Sequence, residues 1–299
     1  MAMLYIPRCL NRGIRNLLLQ QRSFSAQPIH QFNEDDIKEK LQQFPGGSID
    51  LQKEGEIATL IINQPERINA FTGTMILELR DRVEELESWT NGKGLILRGA
   101  DNTFCSGSDL NTVRAISNPK DGMTMCMFMQ NTLTRLQRLP LISVALVQGV
   151  ALGGGAELTT ACDFRLMTSE SEIRFVHKLM GLVPGWGGAT RLVQIIGYRN
   201  ALKLLSSADR VRSAKALRIG LADKILPSSD HNWCMEETQK WLSHYIKGSS
   251  KVIQAIKNVA VSGRELPLEE SLRNEKCIFS TMWASPDNLK ALSTVMKHK

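Results

Sequence analysis

Two glycine-dense stretches of this chain carry its clearest chemistry. Leu152-Gly153-Gly154-Gly155-Ala156-Glu157-Leu158 lies between an apolar run and a helix-forming stretch. Glycines there expose backbone N–H groups at a helix start, where unpaired donors and partial positive charge favour an anion. Phe104-Cys105-Ser106-Gly107-Ser108-Asp109-Leu110 is the second stretch, and it sets a glycine between small serines. A ligand can approach such backbone closely. Either stretch alone is equally a tight turn. Brought together, they would aim two N–H groups at one developing oxyanion, the geometry that enolate chemistry needs.

The elements around them must do the aligning. Ile57 to Asn63 reads as a strand, apolar and β-branched, stopped by Gln64-Pro65. Met75, Leu79, Val83 and Leu86 recur at helical spacing, so Gly73 to Trp89 is an amphipathic helix. Gly94 to Gly99 is a buried strand that feeds the serine-flanked loop. Asp121 to Arg138 is a helix ended by Pro140, and Leu141 to Val147 is a strand that feeds the triple glycine. A helix from about Gly154 to Cys162 and a strand from Phe164 to Met167 follow. Strand-strand-helix units in series predict α/β architecture. Before them, Phe32 to Gln43 reads as a short charged helix broken by Pro45-Gly46-Gly47-Ser48. Beyond Asn232 the pattern turns helical: Glu236 to Ile246, Lys251 to Val261, Leu268 to Phe279 and Pro286 to Met296. The expected organisation is an N-terminal extension over 1–47, a ββα core over 48–231 and a helical region over 232–299. Such a helical tail either builds an oligomer interface or folds back on its own core.

Composition narrows the function classes. The chain has 299 residues, 42% hydrophobic and 22% charged, an ordinary globular balance. No run approaches the roughly 18 apolar residues that span a bilayer, so no membrane partner is expected. The six cysteines show neither CxxC pairs nor metal-ligand spacing, which points to reduced thiols and no metal site. The formal charge is +7, and Arg8, Arg12, Arg15 and Arg22 all precede the first acidic residue, Glu34. The remainder is mildly basic, which suits an anionic small ligand; no nucleic acid partner is expected, because no basic stripe interleaved with aromatics is present. Residues 1 to 28 are acid-free, with Leu17-Leu18-Leu19 and Arg22-Ser23-Phe24-Ser25, features shared by transit peptides and by tails without function.

Four motifs appear in order: Asn63-Gln64-Pro65-Glu66-Arg67-Ile68-Asn69-Ala70-Phe71, Phe104 to Leu110, Gln148 to Glu157, and Gly181-Leu182-Val183-Pro184-Gly185-Trp186-Gly187-Gly188-Ala189-Thr190-Arg191-Leu192. From about Ser48 onward the chain resembles the crotonase (enoyl-CoA hydratase/isomerase) superfamily. The resemblance implies the crotonase fold, a repeated ββα superhelical core whose C-terminal helical region packs homotrimers, often paired into hexamers. It implies an acyl-CoA substrate bound near Arg67, Ile68, Ser106, Asp109, Leu110 and Gly153, with Trp186 lining the acyl pocket. It assigns the oxyanion donors to the backbone N–H groups of Ser108 and Gly154. No cofactor is implied.

The resemblance also exposes a departure. Hydratases of this superfamily set two glutamates around the substrate carbon. The first matches Glu157. Counting back from Gly181, the second position holds His177, within Phe175-Val176-His177-Lys178. The paired-carboxylate requirement for hydration is unmet. An oxyanion hole with one carboxylate suits a reaction that needs only an enolate, and decarboxylation of a malonyl-type thioester is the simplest. Gln42 to Leu51, Phe104 to Leu110, Met127 to Arg135 and Arg174 to Lys178 are similar to a decarboxylating branch of the superfamily. That branch converts ethylmalonyl-CoA to butyryl-CoA and takes methylmalonyl-CoA less readily. It acts in metabolite repair, because these thioesters arise when a cytosolic carboxylase misuses butyryl- or propionyl-CoA. The cytosol is therefore expected, with the mitochondrial matrix as the alternative raised by the N-terminal arginines. His177 is expected to position the departing carboxylate through one N–H. Glu157 is expected either to order the helix beginning at Gly154 or, if protonated, to supply the enolate's proton. An enoyl-CoA hydratase or isomerase using another acid, and a noncatalytic RNA-binding or scaffold trimer, stay open.

Overall fold

A computed structural model describes residues 28–296; the arginine-bearing segment before Pro28 lies outside them. Pro28–Lys247 forms one compact unit, and the helices after Gly248 belong to a second.

The first unit is built on a six-stranded sheet, β1 (Ser48–Glu54), β2 (Ile57–Asn63), β3 (Gly94–Gly99), β4 (Ile142–Val147), β6 (Phe164–Thr168) and β9 (Lys224–Leu226), in that spatial order. Only β1–β2 is antiparallel. A second, three-stranded sheet holds β5 (Val150–Leu152), β7 (Glu172–Arg174) and β8 (Val211–Arg212). The ββα repeat explains the pair of sheets. After β4 the chain turns at Gly149, whose φ is 55°, and lays β5 in the second sheet. The chain then returns through a helix to β6, and β7 follows in the second sheet. Phe71 and the Cys105–Ser108 segment occupy the equivalent places after β2 and β3, because Phe71 bridges Ser108 and Cys105 bridges Ala151. The turns that follow each central strand are thereby stacked side by side.

Burial explains why the middle strands were plain in the sequence. The alternation expected of a half-wetted strand is absent from β2, β3 and β4, since both their faces are covered. Helix α1 (Asp35–Leu41) buries Ile37 and Leu41 and is shorter than the span expected from Phe32 to Gln43. Helix α2 (Gly73–Glu87) buries Met75, Ile76, Leu79, Val83 and Leu86, and Thr72 caps it by accepting from the Met75 N–H at 3.3 Å. Helix α3 (Leu110–Ala115) follows the serine-flanked loop. Helix α4 (Pro119–Arg138) buries Met125, Phe128, Met129, Leu133 and Leu136. Helix α5 (Gly154–Thr159) begins at the triple glycine. Helices α6 (Gly188–Ser207), α7 (Ser213–Arg218) and α8 (His231–Tyr245) complete the unit.

The second unit contains α9 (Ser250–Glu265), α10 (Leu268–Met282) and α11 (Pro286–Met296). These helices match the helical reading beyond Asn232 in type and closely in extent. No described helix is long and apolar enough to cross a membrane. None of the five described cysteines is in a disulfide.

Candidate active site

The two glycine loops meet. A carbon placed on Gly107 would stand 3.0 Å from the Leu152 carbonyl oxygen and 3.2 Å from the Gly154 nitrogen. Gly107 has a φ of 102°, a conformation that side-chain-bearing residues avoid. Its carbonyl accepts from the Phe71 N–H at 2.7 Å, and the Asp109 N–H donates to Phe71 at 2.8 Å, so Ser108 is fixed between them. On the other loop the Gly153 N–H donates to Arg174 at 3.0 Å, and Gly153 has φ 52°. Gly154 opens α5 without a side-chain cap. Among the described residues, neither the Ser108 N–H nor the Gly154 N–H meets an acceptor. Two amide donors on touching loops are thus left over, the arrangement that an oxyanion hole requires.

Glu157 sits one turn beyond Gly154 and is buried, with 1% of its surface exposed. Its carboxylate is crowded with donors. The Trp186 and Gly188 N–H groups each donate to Oε2 at 2.8 Å, and the Gly185 N–H donates to Oε1 at 3.3 Å. His177 Nε2 lies 2.9 Å from the same Oε1. Separate duties were expected of these two side chains, and the structure joins them directly. The remaining ring nitrogen, His177 Nδ1, is buried without a hydrogen-bond partner among the described residues.

Trp186 closes the site from the side. Its ring lies so close to α5 that a carbon on Gly154 would fall 2.7 Å from it, and it meets Phe71 edge-on at 5.8 Å. Gly188 is equally constrained, since a carbon there would fall 2.4 Å from Glu157 Cγ. The loop from Gly185 to Gly188 is therefore wrapped tightly around the glutamate, and glycine is what permits it.

Residues expected to bind the acyl-CoA also come together. Arg67 Nη1 donates to Asp109 Oδ2 at 2.7 Å, and Ser106 donates to the backbone of Arg67 and Ile68 through its hydroxyl and amide. Asp109 Oδ1 accepts from the Asn111 and Thr112 N–H groups and so caps α3. Burial pushes the Asp109 carboxyl up, but the Thr112 N–H, Arg67 and the Asn111 N–H outweigh it and hold the group below its ordinary range. Ile68 and Leu110 are half-exposed, open to a ligand. Ile68 is also strained: a β-branched residue at φ 54° and ψ 41°. Strain of this kind costs about 1–3 kcal/mol and collects at ligand clamps. Next to it, buried Asn69 accepts from Gln64 N–H and donates to Ala100 and Thr103, tying this loop to the end of β3.

Three further residues shape the site and were not singled out from the sequence. Arg191 is buried and donates to the Trp186 and Glu157 carbonyls and to Thr160 Oγ1. Cys126 and Gln130 both donate to the Gly185 carbonyl. Arg191 lies inside a quoted motif, four residues after Gly187. Cys126 and Gln130 lie four apart on an otherwise apolar stretch of α4, a faint polar signal at helical spacing. Among the described residues no group of three or more His, Cys, Asp or Glu side chains is placed to hold a metal ion.

Comparison with known proteins bears on this geometry. The sequence profile of the family described as enoyl-CoA hydratase/isomerase matches residues 52–296. An ethylmalonyl-CoA decarboxylase of Gallus gallus is 61% identical, over 98% of this chain and 99% of its own length. One from Xenopus tropicalis is 64% identical over 90% of each, and one from Homo sapiens is 59% identical over 93% of this chain and 92% of its own. The crystal structure of an enoyl-CoA hydratase from Bacillus anthracis superposes with a TM-score of 0.76 at 24% identity, covering 84% of this chain and 96% of that one. An enoyl-CoA hydratase from Thermoplasma volcanium superposes at 0.73 and 24%, covering 82% and 96%. At that identity these two speak for the fold alone.

Proposed function

The chain belongs to the enoyl-CoA hydratase/isomerase family, and within it we propose that it is a carboxy-lyase that converts ethylmalonyl-CoA to butyryl-CoA and carbon dioxide. Relatives bearing that activity in their names match at 59–64% identity over at least nine-tenths of the chain. The observation that carries the chemistry is the direct Glu157–His177 contact at 2.9 Å beside two unspent amide donors. A hydratase has to seat a water between two carboxylates. Here the second carboxylate is replaced by an imidazole that touches the first.

The reaction is an enolate reaction. The bond between the substrate's α-carbon and its free carboxylate breaks, carbon dioxide departs, and the electron pair moves into the thioester. Negative charge grows on the thioester oxygen, where the Ser108 and Gly154 N–H groups stabilise it in the transition state more than in the ground state. A proton then returns to the α-carbon. Glu157 has its acceptor positions filled by three backbone N–H groups and His177, which supports the ordering role over the proton-donating one. His177 then turns Nε2–H toward Glu157 and has Nδ1 left for the substrate. When protonated, it can donate Nδ1–H first to the departing carboxylate and afterwards to the enolate carbon.

The test is turnover of the purified protein with ethylmalonyl-CoA, methylmalonyl-CoA and crotonyl-CoA. Carbon dioxide release in that order of rate, with crotonyl-CoA hydration barely detectable, is the expected result. Hydration faster than decarboxylation would overturn the reading.

The assembly and compartment belong to the same proposal. Leu268, Leu272 and Phe279 stand exposed on α10 and Trp283 just past its end, and Phe279 and Trp283 pair at 5.3 Å. An apolar row of this kind supports a homotrimer or hexamer, to be read by light scattering. Cytosolic placement follows from where the substrate arises, with the matrix as the alternative. Fluorescent fusions with and without residues 1–28 distinguish the two.

A further inference from the structure

The loop that orders Glu157 is itself held from outside the site. The peptide unit joining Gly185 to Trp186 is trans, so its C=O and N–H point in opposite directions. The N–H donates to Glu157 Oε2 at 2.8 Å. The C=O faces α4, where it accepts from Cys126 Sγ at 2.8 Å and from Gln130 Nε2 at 3.0 Å. Fixing one end of a planar unit fixes the other. Polarising the carbonyl also strengthens the N–H as a donor.

Gln130 is fixed in turn. Its Nε2 is committed to Gly185 and Cys126, so its Oε1 is the atom that faces His30 Nε2 at 2.7 Å. An amide oxygen only accepts, which makes His30 the donor through Nε2–H. The backbone of His30 is clamped by Asn131 on both sides: its N–H donates to Oδ1 at 2.9 Å and its carbonyl accepts from Nδ2 at 3.0 Å. A continuous chain of hydrogen bonds thus runs from the segment ahead of α1, through α4 and one peptide unit, to Glu157 and His177.

We propose that Gln130 is a positioning residue for the Glu157–His177 pair and that His30, from the N-terminal segment, sets Gln130. Neither touches the substrate. Each acts by aiming the Trp186 N–H at the glutamate, which holds the imidazole at its working angle. The segment around His30 is on this account part of the catalytic apparatus rather than an appendage. The proposal rests on the decarboxylase reading only for its kinetic arm.

Four variants test it: Gln130→Met, which keeps the length and loses the donor; Gln130→Glu, which keeps the oxygen toward His30 and sets an acceptor against the Gly185 carbonyl; His30→Phe; and His30→Gln, which retains an N–H donor. Readouts are kcat and KM for ethylmalonyl-CoA, the Kd of butyryl-CoA, and the ring ¹⁵N resonances of His177, assigned by their loss in His177→Gln. Gln130→Met and Gln130→Glu are expected to lower kcat by about tenfold, the kinetic equivalent of one hydrogen bond. The butyryl-CoA Kd should stay within about twofold, since nothing that binds the thioester changes. The His177 resonances should move in both. His30→Gln should restore most of what His30→Phe loses. Unchanged His177 resonances in every folded variant would overturn the proposal, as would a fall in kcat matched by an equal loss of butyryl-CoA affinity. If Gln130→Met fails to fold, the His30 pair decides alone. If the wild-type protein releases no carbon dioxide, the functional reading fails, and the resonances still decide the positioning role.

Discussion

Asp109 closes the start of α3 with its own side chain, whereas Gly153 leaves the start of α5 open. In the first loop the carboxylate accepts from the Asn111 and Thr112 N–H groups, so the helix end is spent on structure and one amide, that of Ser108, remains just before it. In the second loop no side chain caps the helix, and the Gly154 N–H is itself the remainder. The two loops reach the same outcome by different means: one by setting the donor just ahead of the cap residue, the other by omitting the cap. Glycine in place of a capping side chain costs only roughly a few tenths of a kcal/mol, and the open end is tolerated where the donor serves a ligand.

This contrast can be broken at several points. Gly154→Ala should have the largest effect. Alanine keeps the N–H, but its added carbon must displace a buried Trp186 ring that lies 2.7 Å away; any backbone shift that relieves this misaims the donor, and losing one well-aimed oxyanion donor altogether typically costs about 100- to 1,000-fold in turnover. Stopped assays of carbon dioxide release, with circular dichroism to confirm the fold, check this. Full activity would mean that the ring yields and the amide keeps its aim. Proline there would strike the same ring and also delete the N–H, so a folded Gly154→Pro protein with full activity would remove Gly154 from the hole.

Asp109→Ala should act on stability and binding instead. Loss of the cap costs about 1 kcal/mol, and release of Arg67 should raise KM while leaving kcat near normal. The acid limb sharpens the point. Because the folded carboxyl is held below its ordinary value near 3.8, its stabilisation is present above that value and is lost as pH falls through the lower, folded one. The Tm gap between wild type and Asp109→Asn should therefore be constant at neutral pH and close below about pH 4. A gap that persists in acid would mean that the carboxylate charge is irrelevant to the cap.

Arg67→Ala should have the smallest effect on stability, within about 1 kcal/mol, because the guanidinium is half-exposed and such ion pairs contribute little. A KM that rises more than Tm falls would assign it to the ligand. Cys105 gives a silent control. Burial pushes its thiol up to about 12, so it stays protonated beneath the first loop. Iodoacetamide should leave it unmodified until the protein is unfolded, as mass spectrometry would read.

The bounds of β2 and β3 coincide with their sequence readings because an apolar run buried on both faces has no competing interpretation. β1 was not legible. It is an edge strand in which Ile49 alone is fully buried, so neither a run nor a clean alternation marks it. Helix α6 was obscured by the glycines at its start and by Gly197, whose φ of 75° interrupts it. At the site, Glu157 and His177 could be picked out by the family resemblance, through their distances from Gly154 and Gly181. Their mutual hydrogen bond could not, because spacing of 20 residues says nothing about contact. Gln130, 55 residues from the carbonyl that it holds, was out of reach for the same reason.

The open start of α5 has a consequence for how such a protein tolerates change. The group that does the work there is a main-chain amide, which every amino acid except proline supplies. Substitution surveys that delete side chains would pass over it and report only the neighbours that keep it in place. Drift at those neighbours would appear as a gradual loss of rate spread over many positions, with no single residue owning it. Replacing the N–H that precedes the Gly154 α-carbon with an ester oxygen, by chemical ligation, deletes the donor and leaves every side chain in place, while weakening the Gly153 carbonyl as acceptor of the Glu157 N–H. Set beside Gly154→Ala, that change separates the donor from the packing around it.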